Sequence, residues 1–247
     1  MVPGPAVMHY RAGMPVPRCP CCFDDTFNRK LADGELRRYQ SRGPGRASRA
    51  LADALEGAGA ADMTVLDIGA GVGAVHQLLL ERGAASATDV DASGPYLAAA
   101  RDEARRRGLA DRVTFVHGDF AALAAEIEPA DLVALDRVVC CYGDVDALVG
   151  RAAERTRRRL GIALPPDGRT ARLVVGLLNA WQRLTRSAFR MYAHPHARVI
   201  AAARTAGLVP VGGARLGIWH LLIFERPGDG DSTPQSAGSD TAAAQRG

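Results

Sequence analysis

The sequence predicts one α/β domain, a doubly wound fold with a largely parallel sheet and helices on both of its faces. Three observations predict it. Short apolar runs alternate with helix-period patterns through most of the chain, which is the signature of strand–helix–strand units. A glycine-rich turn, "VLDIGAGVG" at 65–73, joins the first apolar run to the helix pattern that follows. No internal repeat and no long linker divides the 247 residues, of which 47% are hydrophobic, so a single sizeable core is expected.

In chain order, residues 23–57 read as two helices separated by "SRGPGRAS". "TVLDI" (64–68) reads as a buried strand, followed by a helix from Gly73 to Arg82. "ASATDV" (85–90) and "PYLAAARDEARRRG" (95–108) repeat the strand–helix unit, and "RVTFVHG" (112–118) and "ADLVALD" (130–136) are the third and fourth strands. A helix is expected over 145–160, with Leu148, Ala152 and Thr156 on one face, and a fifth strand at "GIAL" (161–164). A helix over 169–187 places Leu173, Leu177, Trp181 and Leu184 at spacings of three and four, which suits either core packing or a substrate lid over 169–194. After a helix at 195–207, "LVPVGG" and "IWHLLIFER" are two strands in succession, the last antiparallel to the rest. Residues 227–247 have almost no large apolar side chain and, with residues 1–22, are expected to be disordered around a domain at 23–226.

The 31 basic residues include one lysine, Lys30, and the net charge is +4. An arginine bias alongside so much alanine and glycine fits high-GC coding. The runs Arg105–Arg107 and Arg157–Arg159 fall near the ends of predicted helices, where cations suit the dipole. They read as solvated helix ends rather than a phosphate-binding patch, so no nucleic-acid partner is expected. The first twenty residues hold no continuous apolar stretch of a secretory kind, and no run approaches the roughly 18 apolar residues that span a bilayer. The expectation is a cytoplasmic protein with reduced thiols and no membrane partner, acting as a monomer or homodimer. Five cysteines, an odd number, also argue against a disulfide framework.

The glycine turn is the strongest chemical signal. Gly69, Gly71 and Gly73 let the backbone bend tightly and approach a ligand, and the helix that follows offers unpaired amides. The carboxylate of Asp67 precedes the first glycine by two positions. Asp91 closes the second strand eighteen residues after Gly73, where a carboxylate can accept from both hydroxyls of a ribose. Asp89 shares its strand parity and is the alternative. "HGDF" follows the third strand and contributes Asp119 and Phe120.

With these landmarks in order, the sequence resembles the class I S-adenosylmethionine-dependent methyltransferases over roughly 47–226. The resemblance implies a Rossmann-like seven-stranded sheet of order 3-2-1-4-5-7-6, with extra N-terminal helices and a lid helix. It implies that Gly69, Ala70, Gly71 and Gly73 pass beneath the methionine and ribose of S-adenosylmethionine. Asp67 would organise that turn and help hold the ammonium. Asp91 and Ala92 would lie at the ribose, Asp119 and Phe120 at the adenine, and Asp136 at the methionine end. "ELRRYQSRGPG", "ATDVDAS" and "LDRVVCCYGDVDAL" look more narrowly like a bacterial small-molecule subgroup similar to the magnesium-protoporphyrin O-methyltransferases. The porphyrin substrate is not carried across, because only 5% of residues are aromatic. The proline-rich motif of amino-group methylation is absent at 136–139, where "DRVV" stands.

The segment "RVVCCYGD" after the fourth strand lies where this fold holds the acceptor. Cys140 and Cys141 read as packing, since direct methyl transfer needs no thiolate and "CPCC" (Cys19, Cys21, Cys22) is a poor partner half-site for zinc. No metal is expected. Candidates for assisting catalysis are Tyr142 in that segment, Tyr39 in the helix before "SRGPG", and His194 in "YAHPHAR", with His196 beside it. His117 reads as an interior histidine of the third strand. Arg137 suits an acidic acceptor or an ion pair with Asp136. The function implied is methyl transfer to a small-molecule acceptor. The alternatives are the same fold using the cofactor for a non-methylating reaction such as cyclisation, and a non-catalytic scaffold.

Overall fold

The computed structural model describes residues 21–57, 59–185 and 189–228. Three helices come first: α1 (Cys21–Thr26), α2 (Arg29–Arg42) and α3 (Arg46–Glu56). Then follow β1 (Thr64–Ile68), α4 (Ala74–Glu81), β2 (Ser86–Asp91), α5 (Gly94–Arg106), β3 (Val113–His117), α6 (Phe120–Leu123) and β4 (Ala130–Asp136). The rest is α7 (Val145–Glu154), β5 (Thr156–Leu164), α8 (Arg169–Leu184), α9 (His196–Thr205), β6 (Val209–Leu216) and β7 (Trp219–Glu225). The strands form one sheet in the order β3-β2-β1-β4-β5-β7-β6, and β7 alone runs antiparallel to its neighbours. This is the architecture expected from the sequence.

Both faces of the central strands are buried, as a parallel sheet between helices requires. Leu66, Ile68, Val133 and Leu135 point to one side, where they pack with Leu148 and Val149 of α7 and Val199 of α9. Val65, Leu132 and Ala163 point to the other, against Leu51 and Leu55 of α3 and Leu79 of α4. The first switch in strand order falls between β1 and β4, so the carboxyl ends of β1, β2 and β4 open a crevice there.

Three local readings are corrected. Helix α7 stops at Glu154 rather than 160, and β5 begins at Thr156. The four-residue spacing of Leu148, Ala152 and Thr156 imitates a continuing helix. Instead the Thr156 hydroxyl donates to the Ala152 carbonyl (2.8 Å) and closes it. Arg157–Arg159 therefore lie on a strand, not at a helix end; Arg159 pairs with Glu225 directly across on β7. The N-terminal region holds three helices instead of two, with Cys21 and Cys22 opening α1, and Cys19 lies outside the described residues. The remaining stretches expected to be disordered, 1–20 and most of the tail, also lie outside them. Helix α8 forms as expected, but none of its residues is buried, so its apolar residues do not belong to the core.

Helix α3 approaches the sheet at Gly161. A side-chain carbon built there would sit 2.7 Å from Leu51 Cδ1 and 3.0 Å from Leu55 Cδ2, and both leucines are fully buried. Gly161→Val should therefore overpack this contact and cost about 1–3 kcal/mol, seen as a lower urea midpoint at unchanged slope.

Candidate functional site

The turn from β1 into α4 is built on three glycines with left-handed backbone, Gly69, Gly71 and Gly73 at φ +64°, +60° and +79°. At two of them no side chain fits. A Cβ on Gly69 would come within 2.5 Å of Val138 Cγ2, and one on Gly73 within 2.5 Å of the His76 ring. The turn is gripped from both strands. From β2, Asp91 Oδ2 accepts the Gly71 N–H (3.1 Å) while its Oδ1 accepts the Ser93 N–H (2.8 Å). From β1, Asp67 Oδ2 accepts the backbone N–H of His76 (3.2 Å), in the first turn of α4, and also its ring Nδ1–H (3.0 Å). Helix α4 has no cap side chain of its own, so this remote carboxylate satisfies one of its open donors.

Beneath the turn lies a buried polar island. Asp67 and Asp89 are cross-strand partners, and both are buried, as is His76. Asp67 Oδ1, His76 Nε2 and both oxygens of Asp89 have no hydrogen-bond partner among the described residues. Burial first, then the nearby carboxylates of Asp91 and Asp67, push the Asp89 pKa well above the usual carboxylate range, against a smaller opposing pull from Arg101. Asp91 is only partly buried, and its pKa is raised to about 6, chiefly by desolvation, with the two backbone donors opposing.

Two further clusters face the crevice. After β3, Asp119 caps α6 through the Ala121 N–H (3.0 Å) and accepts the Tyr142 hydroxyl at 2.9 and 3.1 Å. His194 fixes the same tyrosine, its Nε2–H donating to the Tyr142 carbonyl (2.8 Å), and its ring stacks on Tyr192. After β4, Asp136 accepts the Ser48 hydroxyl of α3 (2.6 Å) and two bonds from Arg137 (3.2 Å each). Arg137 is one of two described non-glycine residues with positive φ (+61°); it also pairs with Glu35 of α2 (3.7 Å), which accepts the Tyr96 hydroxyl (2.8 Å).

Residues 65–160 match a family model described as a methyltransferase domain. The matched segment holds the glycine turn and the carboxylates of Asp91, Asp119 and Asp136. Among solved structures it resembles the magnesium protoporphyrin IX methyltransferase of Synechocystis PCC 6803 with bound SAH. That match has 20% identity over 84% of this chain and 99% of that one, at a TM-score of 0.65. An O-methyltransferase family protein from Burkholderia thailandensis matches at 23% identity over 83% of this chain and 61% of that one, at a TM-score of 0.64. The [4+2]-cyclase SpnF matches at 16% identity over 74% and 81%, at a TM-score of 0.57. At such identities the likeness carries the fold. No curated protein sequence matches the chain significantly.

Several of the side chains singled out from the sequence stand elsewhere than expected. Tyr39 is buried among Ala32, Val72 and Ala74, its hydroxyl donates to Gln77 Oε1 (3.4 Å), and Arg107 lies over its ring. Burial raises its pKa to about 12, so it neither closes over the crevice nor takes a proton near neutrality. Phe120 packs into the core with Val90 and Leu135, so its ring is not at the crevice. Asp67 is enclosed behind the glycine turn and does not reach a ligand with its side chain. His117 is exposed at the end of edge strand β3, with Nε2 bonded to the Ala92 carbonyl, rather than interior. His196 is tied to Pro165 and Asp167. Cys140 is buried and Cys141 partly so, both free thiols in the short turn after β4. Sequence reasoning missed Tyr96, Glu35, Ser48 and His76. Only His76 had a usable signal, as a polar residue on the apolar face of the helix after the glycine turn.

The unpartnered Asp89 makes a testable statement about stability. Its folded pKa stands above the unfolded value, so ionisation opposes folding. That cost is absent below about pH 4 and grows as pH rises from there. Asp89→Asn should therefore melt at about the wild-type temperature near pH 4 and several degrees higher near pH 8, measured by calorimetry at both values.

Proposed function

We propose that this chain transfers a methyl group from S-adenosylmethionine to a small-molecule acceptor, a specialised metabolite, by in-line displacement. The observation that carries the reading is the Gly69–Gly73 turn held against the Asp91 carboxylate. Each Asp91 oxygen accepts one backbone N–H, and a carboxylate oxygen has room for a second donor, so the pair of ribose hydroxyls fits. The glycines let a ligand lie directly on backbone, where a Cβ would otherwise project. Asp119 offers an acceptor suited to an adenine amino group, shared with the Tyr142 hydroxyl.

When bound, S-adenosylmethionine supplies an electrophilic methyl group on sulfur. The chain's own contribution is position. The segment 137–142, pinned at both ends by Asp136, Asp119 and His194, borders the acceptor space and fixes its distance from the turn. Aligning two reactants in this way can supply most of the acceleration of a displacement. We assign Tyr142 and His194 positioning roles. The phenol donates to a carboxylate, and the ring Nε2–H donates to a carbonyl; burial also lowers the His194 pKa and keeps the imidazole neutral. The likeness to a cyclase keeps a non-methylating use of the same turn as the second reading.

Titration calorimetry tests the first step: S-adenosylmethionine should bind wild type and lose at least tenfold in affinity with Asp91→Ala, a change of about 1.4 kcal/mol or more. Failure of wild type to bind would remove the reading. Because the free Asp91 titrates at about 6 and binding needs its ionised form, affinity should fall as pH drops through 6, and Asp91→Asn should bind weakly with a flat profile. With candidate acceptors, product mass separates the two readings. Demethylated cofactor means methyl transfer, and unchanged cofactor beside a rearranged substrate means cyclisation.

A further inference from the structure

Helix α8 is packed the wrong way round for a soluble fold. Its partly buried residues are Ala171, Val175, Asn179 and Gln182, spaced four, four and three apart, so they form one face against the body. Asn179 anchors that face, donating to the Met191 carbonyl (2.8 Å) and accepting the Met191 N–H (2.9 Å). Leu173, Leu177, Trp181 and Leu184 repeat the same spacing two residues later, about 200° around the helix. They point away from the body and are 64%, 64%, 67% and 79% exposed. An apolar stripe has been turned outward, while Asn179 and Gln182 face in beside Ala171 and Val175. Such a face needs an occupant.

The charge around the stripe selects among occupants. From 168 to 224 the sequence has eight arginines and no aspartate or glutamate. Arg169, Arg172 and Arg183 lie on α8 itself, all exposed, and none has an ion-pair partner among the described residues. Two copies packed through α8 would bring these cations against a surface with nothing acidic to meet them. An anionic lipid surface supplies both requirements at once, apolar depth for the leucines and Trp181 and phosphates for the guanidinium groups. Among the described residues no helix is long and apolar enough to cross a membrane, and α8 at sixteen residues is suited to lie on one instead. The sequence-based expectation of no membrane partner rested on the lack of a spanning run, which says nothing about an interfacial helix.

We propose that α8 docks this protein on anionic bilayer surfaces through the Leu173–Leu184 stripe. The β6–β7 turn, with exposed Ile218, lies at the same carboxyl edge of the sheet from which α8 departs after β5. A surface bound there would lie along the edge that carries the crevice.

The test is co-sedimentation of the full chain with vesicles of phosphatidylcholine alone and of phosphatidylcholine mixed with phosphatidylglycerol. Binding should be at least tenfold tighter to the mixed vesicles and should weaken with salt. L177E/W181E should lose at least tenfold in that binding, and R169A/R172A/R183A should lose the preference for anionic lipid, both melting as wild type does because the altered side chains are exposed. Absence of vesicle binding by wild type overturns the proposal, as does binding that L177E/W181E leaves intact. A wild-type dimer in sedimentation velocity that L177E/W181E dissociates, without vesicle binding, would assign the stripe to a second copy and overturn it too.

Discussion

The Gly69–Gly73 turn is held by two carboxylates, one from each of the strands beside it, and the carboxyl edge takes its shape from that grip. Asp91 fixes the Gly71 amide and Asp67 fixes the start of α4. Because Asp67 is buried, its bonds act in a low dielectric and hold firmly, but the same burial makes every unsatisfied neighbour costly. Asp89, across from Asp67 with both oxygens unpartnered, is where that cost collects. The carboxylates of Asp91 and Asp67, on the same and the adjacent strand, oppose the ionisation of Asp89. A core built for stability alone would not place them there, whereas a crevice that must present a carboxylate beside a glycine turn has little choice.

The N-terminal helices act on the ends of the strands rather than on the sheet alone. Asp24 of α1 accepts the Gly94 N–H, and the Ser93 hydroxyl donates to the Phe27 carbonyl, tying the segment after β2. Glu35 of α2 joins Tyr96 to Arg137, and Ser48 of α3 bonds Asp136 at the end of β4. Each bond links the added N-terminal segment to a residue at or beyond the end of a strand that borders the crevice. The helices therefore set the relative position of the β2 and β4 ends, which the sheet's own hydrogen bonds leave free once the strands have stopped.

What was legible in the sequence follows from range. The central strands announce themselves by apolar runs and the turn by glycine spacing, both local signals, so the elements and the placement of Asp67 and Asp91 toward successive strand ends were readable, whereas the strand order came from the resemblance those landmarks carry. The start of β5 was not, because Thr156 continues a helical spacing by coincidence and three arginines look like a helix end. Tyr39 was misplaced for a different reason: its partners, Gln77 and Arg107, lie 38 and 68 positions along the chain, and nothing nearby marks it as interior. Ser48 and Asp136 are separated even further. Amphipathicity revealed that α8 has an apolar side but not which side faces the body, since periodicity fixes the angle between faces and not their orientation.

Arg137 shows how the acceptor segment is kept in place. A non-glycine residue at φ +61° is strained and persists only where its surroundings over-determine it. Here its N–H donates to the Ala163 carbonyl on β5, its guanidinium is shared between Asp136 and Glu35, and its own carbonyl accepts the Cys140 thiol. Four constraints hold one residue, and five positions later Tyr142 is held by Asp119 and His194. The paired cysteines lie between these anchors, in a short turn, with Cys140 buried where a bulkier side chain would push the anchors apart. A segment fixed at both ends and filled by small thiols is organised to hold a distance, which is what the proposed displacement would demand of its host.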